Sequence, residues 1–123
     1  MMDFKECLAW QKAQDLCVFY HKNLEFKLPS SERNNIQDQI KRAASSIQAN
    51  IAEGISRELG SKDLIHFLKM AKGSAGEVES FLLLAEKEEY YSRTEIEPAL
   101  QLCTEIKHLI CGLIRRERKL MED

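Results

Sequence analysis

Two carboxylate-x-x-histidine pairs, Asp63-x-x-His66 and Glu105-x-x-His108, have the spacing with which helices of di-metal bundles present their ligands. Such ligands must project inward. A helical wheel of about 100° per residue turns all four away from the apolar stripes of their own segments, so no metal centre is expected. A second group is a polar line beside an isoleucine stripe: Gln39, Arg42, Ser46, Asn50, Glu53 and Arg57, with Ser74 and Glu77 on the corresponding flank of a later segment. Two readings stay open for it. It is either an ion-pair and hydrogen-bond seam that sets register within or between subunits, or a recognition groove. The third group is the run Arg115-Arg116-Glu117-Arg118-Lys119, with four cations against one acid. Its cations either sit in solvent and favour the negative end of a helix dipole, or Arg115, Arg116, Arg118 and Lys119 are candidate nucleic-acid contacts. His21 stands alone in the sequence. No phosphate-loop, dinucleotide, nucleophile-elbow or zinc-protease motif occurs, and no nucleophile has a base beside it. No catalytic residue, no cofactor and no small-molecule substrate are therefore assigned, and a non-enzymatic role is expected.

Helices must position these groups. Gly and Pro together number only seven (five Gly, two Pro), and apolar residues recur at spacings of three and four without strand-like alternation. The spacing predicts a first helix from about Lys5 to Leu24, ending before Leu28-Pro29. A second follows from a Ser30 or Ser31 cap to near Arg57, with the stripe Ile36, Ile40, Ala43, Ile47, Ile51 and Ile55. Ser61 caps a third, carrying Leu64, Leu68, Ala71, Ala75, Val78, Leu82 and Ala85 to about Glu88. Ser92-x-x-Glu95 and Thr94-x-x-Glu97 both fit a capping box for the fourth, with Pro98 in or just before its first turn and an end near Lys119. The 123 residues suit one domain over 1–123. Four helices of roughly 20 to 28 residues with short connections make an all-α, up-down-up-down antiparallel four-helix bundle.

Phe81-Leu82-Leu83-Leu84 and Leu109-Ile110 with Leu113-Ile114 spread apolar side chains beyond one buried face, so self-association into a dimer or closed ring is expected. In a tight hairpin of the second and third helices, Arg42 comes level with Glu77 and Ser46 with Gly73. Gly73, Ala75 and Gly76 would then let the backbone approach Ala43, Ala44 and Ser46 closely.

Eighteen Lys plus Arg against 20 Asp plus Glu give a net charge of −2, which removes the global electrostatic case for coating nucleic acid and leaves it to a local patch. The opening Met1-Met2-Asp3-Phe4-Lys5-Glu6 lacks the apolar stretch of a signal peptide, and no apolar run approaches the length of a membrane span. A soluble, cytoplasmic protein is expected. Cys7, Cys17, Cys103 and Cys111 form no CxxC pair and read as reduced, small hydrophobes.

Trp10-Gln11-Lys12-Ala13, Gln39-Ile40-Lys41-Arg42-Ala43-Ala44-Ser45-Ser46-Ile47, Asn50-Ile51-Ala52-Glu53-Gly54, and Ala71-Lys72-Gly73-Ser74 followed by Glu77 occur in this order across nearly the whole chain. In order and spacing they resemble the bacterial four-helix bundle family that includes the intervening-sequence proteins encoded within 23S ribosomal RNA genes. That family is in turn similar to the accessory variability protein of diversity-generating retroelements, which engages a reverse transcriptase and nucleic acid. The resemblance implies a homopentameric, barrel-like ring, places Arg42, Asn50, Glu53, Arg57, Ser74 and Glu77 among the characteristic positions, and makes RNA or a nucleic-acid enzyme the expected partner. The fourth helix carries little of the signature, so Arg115 to Lys119 inherit nothing from it. A protein-binding ring without nucleic-acid contact is the alternative.

Overall fold

The structure, a computed structural model, describes residues 3–122; Met1, Met2 and Asp123, the outermost residues of the domain expected over 1–123, lie outside it. Four helices, α1 (Leu8–Asn23), α2 (Asp38–Ile55), α3 (Lys62–Lys87) and α4 (Arg93–Glu122), account for most of these residues, and no strand is present among them. Each helix packs on its sequence neighbours and α1 closes against α4, which sets the four around one apolar core. Ile40, Ile47, Ile51, Leu68, Leu82, Ile106 and Ile110 are fully enclosed there. At about 1.5 to 3 kcal/mol per buried aliphatic side chain, this stripe-on-stripe burial is the main force holding the bundle.

The helix ends show where local chemistry and periodicity diverge. Before α1, the Asp3 carboxylate accepts the Lys5 N–H at 2.9 Å and closes a separate 3-10 turn over Phe4–Glu6. Cys7 is then extended (φ −78°, ψ 120°) and buried, so α1 starts three residues later than the apolar spacing predicts. Phe4 packs edge-on against Trp10 at 5.1 Å and holds this turn to α1.

Neither Ser30 nor Ser31 caps α2. Ser30–Glu32 form a 3-10 turn, Arg33–Gln37 a wide π turn, and only then does α2 begin. The wide turn brings consecutive residues Ile36 and Gln37 both inward, and the buried Gln37 amide oxygen accepts the N–H of Phe26, which sits at φ +72°.

Ser61 does cap α3, accepting the Leu64 N–H at 3.1 Å. That helix ends where Glu89 turns left-handed (φ +65°) and the Tyr90 N–H reaches back to the Ala85 carbonyl at 2.9 Å. Of the two possible boxes for α4, Ser92 and Glu95 form the real one: the Ser92 N–H donates to Glu95 at 2.8 Å and the Glu95 N–H to Ser92 Oγ at 3.1 Å. Pro98 therefore lies deeper than the first turn, where its missing N–H leaves the carbonyl of the exposed Thr94 to solvent. The Tyr91 hydroxyl donates to the Leu24 carbonyl at 3.0 Å and lies 3.1 Å from the Tyr20 hydroxyl, tying the α3–α4 connection to the end of α1. No helix among the described residues is long and apolar enough to cross a membrane.

Candidate functional site

The expected polar line lies along the outer α2–α3 flank, but most of it is not a seam. Ser74 is buried, and its hydroxyl donates to Ser46 Oγ at 3.0 Å; Asn50 Nδ2 donates to the Ser46 carbonyl and hydroxyl, both at 2.9 Å. This serine-asparagine cluster is the part of the line that hydrogen-bonds between α2 and α3. Gln39, Arg42, Glu53, Arg57 and Glu77 are exposed. Arg57, which lies past the end of α2 and not on it as the spacing suggested, reaches back to Glu53 at 2.5 Å, and its guanidinium lies 5.1 Å from the Phe67 ring centre of α3. No ion pair joins Arg42 to Glu77, because both side chains leave the bundle instead of turning toward each other; Arg42 lies over a shallow groove with Asp38, Lys41 and Ser45.

The close approach of α2 and α3 is also not where the glycines of α3 suggest. A methyl group on Gly73 or Gly76 would meet nothing within 4 Å. One on Gly54 would stand 3.0 Å from Phe67 Cβ and 3.3 Å from the Leu64 carbonyl oxygen. The hairpin is tightest beside its turn, where Gly54 lets the two backbones nearly touch.

His21 does not stand alone. On α1 and α2, His21 Nδ1 and Lys41 Nζ both reach the Glu25 carboxylate, at 2.5 and 2.6 Å. The Glu25 side chain is only 2% exposed, whereas His21 and Lys41 are mostly in solvent. Burial pushes the Glu25 carboxyl pKa up, but the Lys41 and His21 hydrogen bonds outweigh it and hold the group below the ordinary carboxylate range. These three residues, with Cys17, Tyr20, Ala44 and Ser45, line a cavity of about 110 Å³. Burial raises the Cys17 thiol, against a hydrogen bond from Ser45, and raises Cys103 to about 12. Both are therefore thiols, not thiolates, near neutral pH. The i, i+4 spacing of His21 and Glu25 was visible in the sequence; the burial of the carboxylate and the approach of Lys41 were not.

At the far end of the bundle, the basic run divides. α4 continues past it to Glu122, with Arg115, Arg116, Arg118 and Lys119 exposed. Glu117, in their midst, is completely buried. Its Oε1 accepts the Gly60 N–H at 2.8 Å, and Arg116 Nε donates to its Oε2 at 3.0 Å. Gly60 is left-handed (φ +67°) and lies under Leu120, so the end of α4 is stapled to the α2–α3 connection. Arg116 thereby becomes part of a structural ion pair. Arg115 and Arg118 instead face a groove shared with Lys69 and Lys72 of α3, two cations that the sequence reading did not associate with the run. Neither carboxylate-x-x-histidine pair converges on an interior site: Asp63, His66 and His108 are exposed, and Glu105 pairs with Lys12 at 2.8 Å.

This architecture is shared. A crystal structure of a protein of unknown function from the S23 ribosomal protein family of Bacteroides thetaiotaomicron VPI-5482 superposes with a TM-score of 0.77 and 28% identity, over 88% of this chain and 99% of that one. No curated protein matches significantly. Residues 5–112, from the turn before α1 to beyond the middle of α4, match the family described as 23S rRNA-intervening sequence protein. By that match, which spans all four helices and stops just short of the basic run, this chain belongs to the 23S rRNA-intervening sequence protein family.

Proposed function

We propose that this protein is a non-enzymatic, cytoplasmic oligomer, a homopentameric ring, that associates with structured RNA as a nucleoprotein scaffold. The observation that carries the RNA part is the end of α4: Arg115, Arg118 and Lys119 are exposed and have no acidic partner among the described residues, while the acid between them is turned inward. An acid facing outward would cancel one of these charges. With Glu117 buried, one edge of a molecule of net charge −2 becomes locally basic, and a ring would repeat that edge at every subunit.

Self-association is supported by α3, where the exposed Met70 (44%) and Leu84 (41%) flank Gly73 and Glu77 on the outward face. Apolar side chains in such a line gain from a covering partner. The same face supports the second reading, a ring that docks another protein through α2 and α3.

Two measurements test the proposal. Light scattering on the eluted protein should report about five times the 14.2 kDa chain mass. Binding of the purified protein to a labelled structured RNA and to duplex DNA should then weaken steeply as salt rises. No RNA binding at low salt refutes the nucleoprotein reading. Protein partners that stay bound after nuclease treatment would favour the protein-docking ring.

A further inference from the structure

The line along which α3 meets α4 is charge-matched at one end and charge-opposed at the other. In its matched half Lys107 Nζ lies 2.5 Å from Glu79, and Arg93 Nε lies 2.8 Å from Glu86. In an antiparallel pair each step down one helix is a step up the other. Taking Glu79 as level with Lys107, Lys72 falls within one residue of Arg115 and Lys69 within one residue of Arg118. These four cations line a single groove, with Cys111 and Ile114 as its floor. All four are exposed, and none has an ion-pair partner among the described residues.

Facing like charges across a helix pair costs stability, and the matched half shows that the same seam accommodates acids. The chain has more acids than bases, so the four cations are a segregation and not an overflow. Lys69 and Lys72, like Arg115 and Arg118, are spaced i, i+3, which places each pair on one helix face about 4.5 Å apart along the axis. Gly76, level with Cys111, adds no side chain between these cations and the Glu79–Lys107 pair. Ile114 is only 6% exposed, which leaves little apolar surface to anchor a protein side chain. Two parallel rows of cations over a shallow floor fit a chain of regularly spaced anions.

We infer that this groove seats the phosphodiester backbone of an RNA strand, with Lys69, Lys72, Arg115 and Arg118 each facing a phosphate. The inference rests on the RNA reading above and replaces the basic run by a different set: Arg116, committed to Glu117, and Lys119, outside the groove, are not in it. Arginine forks and lysine ammoniums both serve this purpose, the former bidentately and the latter as point charges.

The test is fluorescence anisotropy with a labelled, unstructured uridine oligonucleotide across a salt series, using the full chain. Four phosphate contacts on a single strand give a log-log slope of about −2.8, or about a 50-fold loss of affinity between about 50 and 200 mM salt. The double variant Lys72→Gln with Arg115→Gln should reduce the slope to about −1.4 and the loss to about sevenfold. Lys22→Gln with Lys87→Gln, exposed cations at the ends of α1 and α3 and away from the groove, should leave the slope unchanged. The groove variant should melt no lower than the parent, since it relieves repulsion between exposed groups. If the parent binds and the groove variant keeps the full slope, the groove is refuted while the RNA reading stands. If the parent binds the structured RNA but not this oligonucleotide at low salt, the groove is refuted alone; if it binds neither, both fall. Displacement of the oligonucleotide by polyglutamate at equal charge concentration would overturn phosphate recognition in favour of an acidic protein segment.

Discussion

Replacing Glu117 by alanine removes the one acid that α4 buries completely, in a stretch otherwise made of exposed cations. Two interactions disappear with it: the acceptor for the Gly60 N–H at 2.8 Å and the partner of Arg116 at 3.0 Å. A half-buried N–H left without an acceptor costs about 1 to 3 kcal/mol, and the space vacated by the carboxylate arm adds about 1 kcal/mol. Arg116 is exposed enough to be rehydrated, so its share is small. The total is about 2 to 4 kcal/mol, which for a chain of this size lowers Tm by about 8 to 16 °C. Glu117→Gln keeps an oxygen for the Gly60 N–H but turns an amide toward Arg116, and should cost about half as much. Thermal melts followed by circular dichroism, at one protein concentration because assembly couples to unfolding, read both variants. Glu117→Ala melting within about 2 °C of the parent would refute the claim that this carboxylate staples α4 to the α2–α3 connection.

Alanine at Gly54 should destabilise by about 1 to 3 kcal/mol, because its methyl meets Phe67 Cβ at 3.0 Å and the Leu64 carbonyl at 3.3 Å. Alanine at Gly73, with nothing within 4 Å, should stabilise the monomer fold by about 0.5 to 1 kcal/mol through helix propensity. Chemical denaturation compares the two; equal effects would contradict the packing described. Acid stability follows from Glu25, held low by Lys41 and His21 against its burial, and from Glu95, held at about 2 by Lys27 and the Ser92 N–H. Both carboxyls are depressed in the folded state, so their contribution is present above the unfolded value of about 4.3 and lost as pH falls through the folded values. Tm should decline as pH is lowered from about 5 toward 2, and Lys41→Met should lower Tm at neutral pH and make that decline shallower, because without Lys41 the folded-state Glu25 carboxyl is depressed less. A Tm that stays flat down to about pH 3 in both proteins would contradict the assignment.

The sequence by itself determined the four helices and their inward stripes. Apolar residues at three- and four-residue spacing can be buried together only in a helix, and Ile40, Ile47, Ile51, Leu68 and Leu82 are all enclosed. The Ser61 cap and the Ser92-Glu95 box were legible too, because a cap is made within four residues of itself. The family was legible because its signature lies in α2 and α3, inside the matched residues 5–112. Only the tertiary structure decided what each helix presents to its neighbours. Periodicity fixes angles about one axis and is silent on the rotation and level of the next, so Arg42 and Glu77 could be placed opposite each other without ever meeting. Likewise it singled out Gly73 and Gly76 when Gly54 bears the contact, left His21 without Glu25 and Lys41, and counted Glu117 as one more surface charge. One residue is about 100° of helix, so a phase error of half a residue moves a side chain from solvent toward the core. Core packing settles that phase, and with it brings Lys69 and Lys72 across to Arg115 and Arg118, more than 40 residues away along the chain.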